Sequence, residues 1–231
     1  MSLWTRITDA LSALTAGEPL SVVFDRLFAH PTPPERSVAF TIAVIALGAK
    51  IAKADGLVTR NEVMAFREVF SIPAGEEQNA ARVFDLARQD VAGFDAYARK
   101  IRRMFDGDSH ILTDLLEGLF YISMADGQHH PHEEHFLAEV AQILQIDGRT
   151  LRAIQARHVP DVEADPFTVL GIPEDSSRAD ARAAWKAMVR DNHPDVLMAR
   201  GVPPEGLKLA AKRLIAINAA WATIAAATSD A

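Results

Sequence analysis

Ala, Leu, Arg and Glu recur at intervals of three and four residues along almost the whole chain, while the alternation typical of strands is almost absent. Such intervals place side chains on one face of an α-helix, and these residue types favour helix formation. With 231 residues, 49% of them hydrophobic, the chain can bury a sizeable core and is long enough for one or two domains. We therefore predict an all-α protein built from packed helices.

The charge distribution and the lack of cysteine exclude several classes of function. The formal net charge is −7, and the basic residues before residue 160 are interleaved with acidic ones, so a nucleic-acid-binding surface is not expected. Without cysteine the chain has no disulfide framework and no thiol nucleophile, which excludes thiol redox chemistry. The composition suits a soluble globular protein in a reducing cytoplasm.

Neither a membrane span nor export is expected from the sequence. The longest uncharged apolar run, residues 37–49, is shorter than the roughly 20 residues that a spanning helix needs. The N-terminus also lacks the pattern of a signal peptide. Trp4, Ile7, Leu11 and Leu14 have helical spacing. Because few basic residues flank this stripe, packing on the next domain is favoured over membrane contact.

Prolines divide the chain into three parts. The prolines within residues 31–34 end the first segment, since a proline run cannot continue a helix. An acidic stretch at residues 161–165 then leads from the middle of the chain into its last part. We predict an amphipathic helical segment at 1–32, an all-helical domain at 33–160 and a small helical unit at 161–231.

The middle domain contains an internal repeat. Residues 51–56 (Ile-Ala-Lys-Ala-Asp-Gly) are matched 71 residues later by residues 122–127 (Ile-Ser-Met-Ala-Asp-Gly), and a Glu follows each copy. Each Gly is a natural helix-ending residue, and the next helix opens with Thr59-x-x-Glu62 or with Pro131 and Glu133. The repeat therefore predicts two helical hairpins of one design.

A calcium site at the repeat is not expected. Asp-Gly followed by Glu six residues later matches the second half of an EF-hand loop. The positions that should supply oxygen ligands in the first half hold Ile51 and Lys53 in one copy, and Ile122 and Met124 in the other. A shared acidic surface between the copies stays an open alternative.

A dense histidine cluster lies just after the second copy. Residues 129–135 read His-His-Pro-His-Glu-Glu-His, which could in principle hold zinc. However, His132 and His135 are three residues apart, whereas the helical zinc motif requires a spacing of four. We predict solvated polar residues at the start of a helix, with no metal site and no cofactor.

The middle domain resembles a known family. The duplicated Ala-Asp-Gly motif, its downstream Glu and the all-helical setting are similar to the tellurite-resistance TerB-like domain, over about residues 35–155. In that family the acidic positions matching Asp55 and Asp126 have been suspected of metal binding. The resemblance implies an all-helical fold and no activity of its own.

The last unit carries a ladder of positive charge. Asp165 to Ile172 reads as one short helical turn ended by Gly171, and Ser177 to Asp180 then has the spacing of a capping box. In the helix that follows, basic residues stand at strict four-residue intervals and share one side, namely Arg178, Arg182, Lys186 and Arg190. Because like charges at this spacing repel, the ladder favours an acidic partner.

The tripeptide His193-Pro194-Asp195 follows this ladder. Pro194 bars the preceding residue from helical geometry, so the helix must end before it and the loop must be exposed. Another helix starts near Pro204 and forms an antiparallel hairpin with the first. Trp185 and Trp221 each lie in an apolar stripe, which makes them core anchors rather than a ligand cage.

Catalysis by His193 and Asp195 is not expected. Such a pair needs a nucleophile or metal and a third orienting group. Ser176, Ser177 and Thr168 have no spacing that would recruit them.

The last unit resembles the J-domain of the DnaJ co-chaperone family, over about residues 165–227. Its motifs occur in order and at the right distances: Phe167-x-x-Leu170-Gly171, Ala184-Trp185-Lys186, His193-Pro194-Asp195 and Ile217-Asn218-x-Ala220-Trp221. In that family the loop and the basic helix dock on a DnaK-type chaperone and stimulate its ATPase, and the J-domain itself hydrolyses nothing. The resemblance implies six DnaK-binding residues: His193, Pro194, Asp195, Arg182, Lys186 and Arg190.

The roles implied by the resemblance differ between these residues. Asp195 would pair with a basic group of the ATPase, and the two residues before it would shape the loop. Arg178 is a weaker candidate for the basic surface. Asn192 stands where an aromatic is frequent, Val196 replaces a common basic residue, and Asp191 dilutes the positive face. These departures concern affinity rather than identity.

A TerB-like domain followed by a J-domain resembles the DjlA-like co-chaperones, some of which have an N-terminal membrane anchor. We expect a non-enzymatic co-chaperone of a DnaK-type ATPase, in which the middle domain supplies targeting, client or assembly contacts. Unfolded or specific client proteins are further expected partners. We expect a cytoplasmic location, with peripheral contact at the inner membrane through residues 1–30 as an alternative. The alternative is a metal-responsive or envelope-stress sensor in which the TerB-like domain is primary.

Overall fold

A computed structural model describes residues 42, 45–51, 77–89, 93–105, 109–124, 130–158, 165–199 and 204–227. The chain forms two compact units, Met1–Gln145 and Ile146–Ala231. Within the ranges just given, the regular secondary structure is helical and no strand is present, which confirms the all-α prediction.

The described part of the first unit contains four helices besides the helical residues at 42 and 45–51. They are α1 (Glu77–Gln89), α2 (Phe94–Met104), α3 (Ser109–Ser123) and α4 (Pro131–Leu144). Both α2 and α3 pack against α4. The core of this unit consists of fully buried aliphatic and aromatic side chains, among them Ile45, Leu47, Tyr97, Ile101, Leu115, Leu119, Phe120 and Val140.

Part of the repeat lies within the described residues. Ile51 and Ile122, the first residues of the two copies, are helical and are 1% and 4% exposed. Both copies therefore begin within a helix, on a buried apolar residue. The Asp-Gly pairs that follow, including Asp55 and Asp126, lie outside the described residues.

The start of α4 corrects one sequence expectation. Pro131 occupies the first turn, as predicted, and His130 precedes it with an extended backbone. His132, Glu134 and His135 are exposed, in agreement with a solvated helix start. Glu133 is not solvated but buried, at 3% exposure. It lies on the face of α4 that also buries Phe136 and Leu137, because residues three and four apart share a helix face.

Among its described residues, the second unit contains five helices. They are α5 (Gly148–His158), α6 (Pro166–Val169), α7 (Arg178–Asp191), α8 (Pro194–Ala199) and α9 (Pro204–Ala227). The long helices α7 and α9 pack along each other, and α6 contacts both α5 and α9. Their core joins Val169, Leu170, Ala181, Ile217, Ala220 and Ile224.

Local capping signals position the helices of this unit. The Asp165 carboxylate accepts the backbone N–H of Thr168 at 2.7 Å and begins α6. Gly171 ends that turn with φ of +68°, a left-handed conformation that glycine adopts without steric cost. The Ser177 hydroxyl accepts the backbone N–H of Asp180 at 3.1 Å and begins α7. The predicted short turn, its end at Gly171 and the capped helix start at Ser177 are confirmed.

Helix α5 belongs to the second unit by its contacts. The Arg157 guanidinium donates to the backbone carbonyl of Val169 at 3.2 Å, and Ala156 packs against the core of this unit. The sequence prediction had included residues 148–158 in the middle domain, and the predicted domain boundaries stay predictions.

One described segment has the length and composition of a membrane span. It is Leu209–Ala227 of α9, with a mean hydropathy of 1.2. The core helix of a soluble protein meets the same criterion, and Ile217, Ala220 and Ile224 of this segment are buried in the core of the second unit.

Candidate interaction site

The basic ladder lies on the solvent side of α7. Arg178, Arg182, Lys186 and Arg190 are all exposed, whereas Ala181 of the same helix is fully buried. The position of Ala181 fixes the rotation of α7 about its axis, and this rotation leaves the four cations in water.

Asp191 modifies the end of this ladder. Its carboxylate accepts a hydrogen bond from Arg190 Nε at 3.3 Å, and the Arg190 side chain stays 73% exposed. An exposed pair of this kind contributes at most about 1 kcal/mol to stability. Arg190 can therefore exchange Asp191 for another acidic group at little cost.

The predicted loop begins where α7 ends. Asn192 is the C-cap of α7, and the backbone N–H of His193 still bonds to the carbonyl of Arg190 at 3.1 Å. The chain then turns directly into α8, which begins at Pro194. The tripeptide thus joins two helices rather than lying in a long loop, while the expected interruption of the helix before Pro194 is confirmed.

The two polar side chains of the tripeptide face solvent. The His193 side chain is 57% exposed and that of Asp195 is 80% exposed, as the sequence predicts. His193 Nδ1 accepts the backbone N–H of Asp195 at 3.2 Å, so a neutral imidazole carries its proton on Nε2. The Asp195 carboxylate lies 3.7 Å from the same Nδ1. Its oxygens are therefore accessible to an external donor.

A buried contact that the sequence analysis missed supports the residue before the tripeptide. Asn192 is 6% exposed, and its side-chain oxygen accepts a hydrogen bond from Arg213 Nη1 at 2.7 Å. Arg213 lies in α9 and is 8% exposed. The sequence analysis noted Asn192 only as a departure from the family pattern.

A small apolar cluster supports the residues after the tripeptide. Leu197 is 2% exposed and packs with Ala210, against which Leu207 is partly buried. The backbone N–H of Leu197 also donates to the carbonyl of His193 at 3.0 Å. Both ends of the tripeptide are thus attached to α9, while its side chains remain in solvent.

The two tryptophans of this unit stack on each other. The ring centroids of Trp185 and Trp221 are 5.4 Å apart with an interplanar angle of 15°. Trp185 Nε1 donates to Asn218 Oδ1 at 2.8 Å. Both rings are partly buried against the core, in agreement with the anchor role that the sequence predicts. Together with the Asn192–Arg213 contact, these pairs show that α7 and α9 run antiparallel.

The remaining sequence candidates do not form a reactive centre in the described part of the chain. The Ser177 hydroxyl, one possible nucleophile, is engaged at the start of α7 and lies 2.6 Å from an Asp180 carboxylate oxygen. Among the residues that the structure describes, no group of three His, Asp or Glu side chains could hold a metal ion. The arrangement offers instead an exposed carboxylate beside a row of exposed cations.

Comparison with known proteins gives one family and several relatives. The model of the family described as "Tellurite resistance protein TerB" matches residues 41–156. A protein named "Co-chaperone protein DjlA" from Photobacterium profundum is 25% identical, and the match covers 81% of this chain and 77% of that protein. No solved structure matches the chain significantly.

Two further relatives carry the same name. The DjlA co-chaperone of Coxiella burnetii is 25% identical over 75% of this chain and 72% of its own length. That of Vibrio cholerae is 24% identical over 85% of this chain and 80% of its own length. These matches extend across both units, and the all-helical fold agrees with them. The chain therefore belongs to the TerB family, and over most of its length it is similar to DjlA co-chaperones.

Proposed function

We propose that this protein is a co-chaperone that stimulates the ATPase of a DnaK-type chaperone. The observation that carries the proposal is the exposed tripeptide His193-Pro194-Asp195, which is attached to the unit at both ends and projects its acidic side chain into solvent. The similarity to proteins named DjlA co-chaperones supports the same conclusion. The chain itself hydrolyses nothing in this proposal.

Asp195 is the residue that we assign to the most specific contact. Its 80% exposed carboxylate can accept a hydrogen bond from a basic group of the ATPase without any rearrangement of this chain. His193 holds the backbone N–H of Asp195 and Pro194 begins α8, so both residues shape the approach to that carboxylate.

The basic face of α7 supplies the second part of the proposed surface. Arg182, Lys186 and Arg190 are exposed on the helix that leads into the tripeptide. Cations in this position attract an acidic partner surface and increase the association rate, an effect that salt screens. The proposed surface therefore combines one specific contact with less directional attraction.

The TerB part is assigned to targeting, client binding or assembly. Residues 1–32 lie outside the described residues. We predicted them as an amphipathic segment, with peripheral contact at the inner membrane as an alternative. We propose a cytoplasmic location, where a DnaK-type partner is accessible. The sensor alternative depends on Asp55 and Asp126, which also lie outside the described residues.

The proposal is tested by the ATPase rate of purified DnaK with increasing amounts of the full chain. We expect the wild type to increase the rate, and Asp195→Asn to abolish the increase at all concentrations. If the contact is desolvated, its loss costs about 2–5 kcal/mol. Because Asp195 is exposed, the substitution should leave the near-ultraviolet circular dichroism of the stacked tryptophans unchanged.

Matched charge reversals test the basic face. Lys186→Glu should weaken stimulation more at low salt than at high salt, because exposed charges are screened over roughly 10 Å at 0.1 M. Arg149→Glu, an exposed reversal at the start of α5, is the control and should have a much smaller effect.

Unchanged stimulation by Asp195→Asn would refute the proposal.

A further inference from the structure

The contact between Asn192 and Arg213 lies directly beside the tripeptide. It joins the C-cap of α7 to the middle of α9, across 21 residues of sequence. Both residues are largely buried, at 6% and 8% exposure, in a unit whose other buried side chains are apolar among the residues described. Hydrophobic packing alone does not explain why a polar pair is buried at this position.

The hydrogen bonds fix the Asn192 side chain in one orientation. Its oxygen accepts from Arg213 Nη1 at 2.7 Å, and its amide nitrogen donates to the backbone carbonyl of Met188 at 2.7 Å. A guanidinium can only donate and a carbonyl can only accept, so the reversed amide would oppose donor to donor and acceptor to acceptor. A carboxylate at this position would likewise turn an oxygen toward the Met188 carbonyl.

This orientation reinforces the last turn of α7, which Pro194 prevents from continuing. The backbone N–H of Asn192 bonds to the same Met188 carbonyl at 3.0 Å, which closes the last turn of the helix. The guanidinium also approaches the carbonyl end of α7, where positive charge is favourable. The next residue, His193, therefore leaves the helix from a fixed point, and its carbonyl accepts from the buried residue Leu197.

We propose that the Asn192–Arg213 pair is a positioning device that holds the tripeptide in its docking conformation. Neither residue touches the partner: Asn192 is buried behind the tripeptide and Arg213 acts through Asn192. The inference rests on the proposed DnaK partnership for its functional consequence. Its structural part, the ordering of residues 193–197, does not depend on that partnership.

Positioning makes a different prediction from direct contact. When only a fraction of the molecules holds the tripeptide in the docking conformation, the apparent affinity for DnaK falls in proportion to that fraction. A saturating concentration of the co-chaperone then still gives the maximal ATPase rate. Asn192→Ala should therefore raise the concentration for half-maximal stimulation roughly tenfold, which corresponds to about 1.4 kcal/mol. The maximal stimulation should stay close to that of the wild type, unlike that of Asp195→Asn.

Amide hydrogen exchange measures the structural part directly. In Asn192→Ala, the amides of Asp195 and Leu197, which bond to His193, should exchange roughly tenfold faster than in the wild type, by the same loss of about 1.4 kcal/mol. Amides in the middle of α9, such as that of Ile217, should change much less.

Asn218→Ala is the matched control. Asn218 also links α9 to α7 by one side-chain hydrogen bond, at Trp185 and away from the tripeptide. The substitution removes an Asn side chain, as Asn192→Ala does, without affecting residues 193–197. Half-maximal concentration and exchange near the tripeptide should both match the wild type in this variant.

The role of Arg213, which donates to Asn192, is tested by Arg213→Met and Arg213→Lys. The Met variant should reproduce the effects of Asn192→Ala, and the Lys variant, which keeps a cationic donor, should restore part of the wild-type behaviour. In the double variant Asn192→Ala/Arg213→Met the effects should not add, because both changes remove one contact. Should Arg213→Met fail to fold, the Asn192→Ala comparison decides.

The outcomes separate this inference from the proposed function. If Asn192→Ala leaves exchange at residues 195 and 197 no faster than Asn218→Ala does, the positioning role is overturned. If the wild type does not stimulate DnaK at all, the proposed function fails, and the exchange data alone decide whether the pair orders the tripeptide. Faster exchange together with a raised half-maximal concentration supports both.

Discussion

The two units bury polar side chains in different places. In the first unit, Lys50, Asp114, Glu117 and Glu133 are buried within helices whose neighbours form the core. In the second unit, the buried polar residues among those described are Asn192 and Arg213, next to the exposed tripeptide. Polar burial is thus part of the core in one unit and part of the proposed interaction site in the other.

This difference separates stability from function. A buried charge must be compensated by the residues around it, so its removal destabilises the surrounding core. A buried polar pair at the edge of a unit can instead fix one conformation of a short connection at little cost to the core. The first unit should therefore respond to changes in its buried charges by unfolding, and the second by losing the order of residues 193–197.

The largest expected effect is that of Glu117→Ala. Glu117 is completely buried in α3, and replacing it with Ala leaves a cavity and removes its buried polar interaction, which together should cost about 3 kcal/mol. Hydrogen exchange with mass spectrometry should show faster exchange throughout α2, α3 and α4. The exposed Glu134→Ala is the control and should change stability by less than about 0.5 kcal/mol. An equally small effect of Glu117→Ala would remove the distinction between the units.

An intermediate effect is expected at the start of α5. The Asp147 carboxylate accepts the backbone N–H groups of Arg149 and Thr150 at 2.9 and 3.0 Å, and the Thr150 hydroxyl at 2.7 Å. The Thr150 hydroxyl, followed by the backbone N–H groups, lowers the pKa of Asp147 from its ordinary value. Asp147→Ala should destabilise the second unit by about 1 kcal/mol, as for other helix caps.

The pH dependence of this cap has a definite sign. Because the pKa of Asp147 is lower in the folded state, its contribution is complete above the unfolded value of 3.8 and is lost as pH falls through the folded pKa. Acid unfolding of the wild type and of Asp147→Ala should therefore converge below about pH 4. A constant difference between the two down to the lowest pH would contradict the cap assignment.

The smallest effect is expected for Asp95 on α2. Its hydrogen bond with Arg99, four residues later, lowers the pKa of this exposed carboxyl. Asp95→Asn should destabilise the first unit by only about 0.3 kcal/mol, and 1 M salt should abolish the difference. Salt should leave the effect of Asp147→Ala largely unchanged, because neutral hydrogen-bond donors hold that carboxylate. Equal salt sensitivity of the two variants would refute this contrast.

Most of the second unit could be predicted from the sequence because its signals are local. The Asp165 and Ser177 caps, the left-handed Gly171 and the helix end before Pro194 each depend on a few consecutive residues. The exposure of the basic ladder also follows from its four-residue spacing on a helix whose apolar residues face elsewhere. The roles of the six proposed DnaK-binding residues remain predictions until they are tested.

Two features could not be predicted because they depend on residues distant in sequence. Glu133 was expected to be solvated with the histidines around it, yet the packing of α2 and α3 against α4 buries it. No local pattern marks Arg213 for burial, yet it is 8% exposed and bonded to Asn192. In both cases the rotation of a helix in the packed unit, rather than its own sequence pattern, decides which side chain is removed from water.

The sequence by itself determined that the chain is helical, where α6, α7 and α9 begin, and that residues 193 and 195 face solvent. It could do so because capping, proline geometry and apolar periodicity act within one or two turns of helix. Only the tertiary structure decided which charges are buried in the first unit and how the tripeptide is held in the second. Those outcomes depend on contacts between helices, such as the bond from Arg213 to Asn192, that no local pattern encodes.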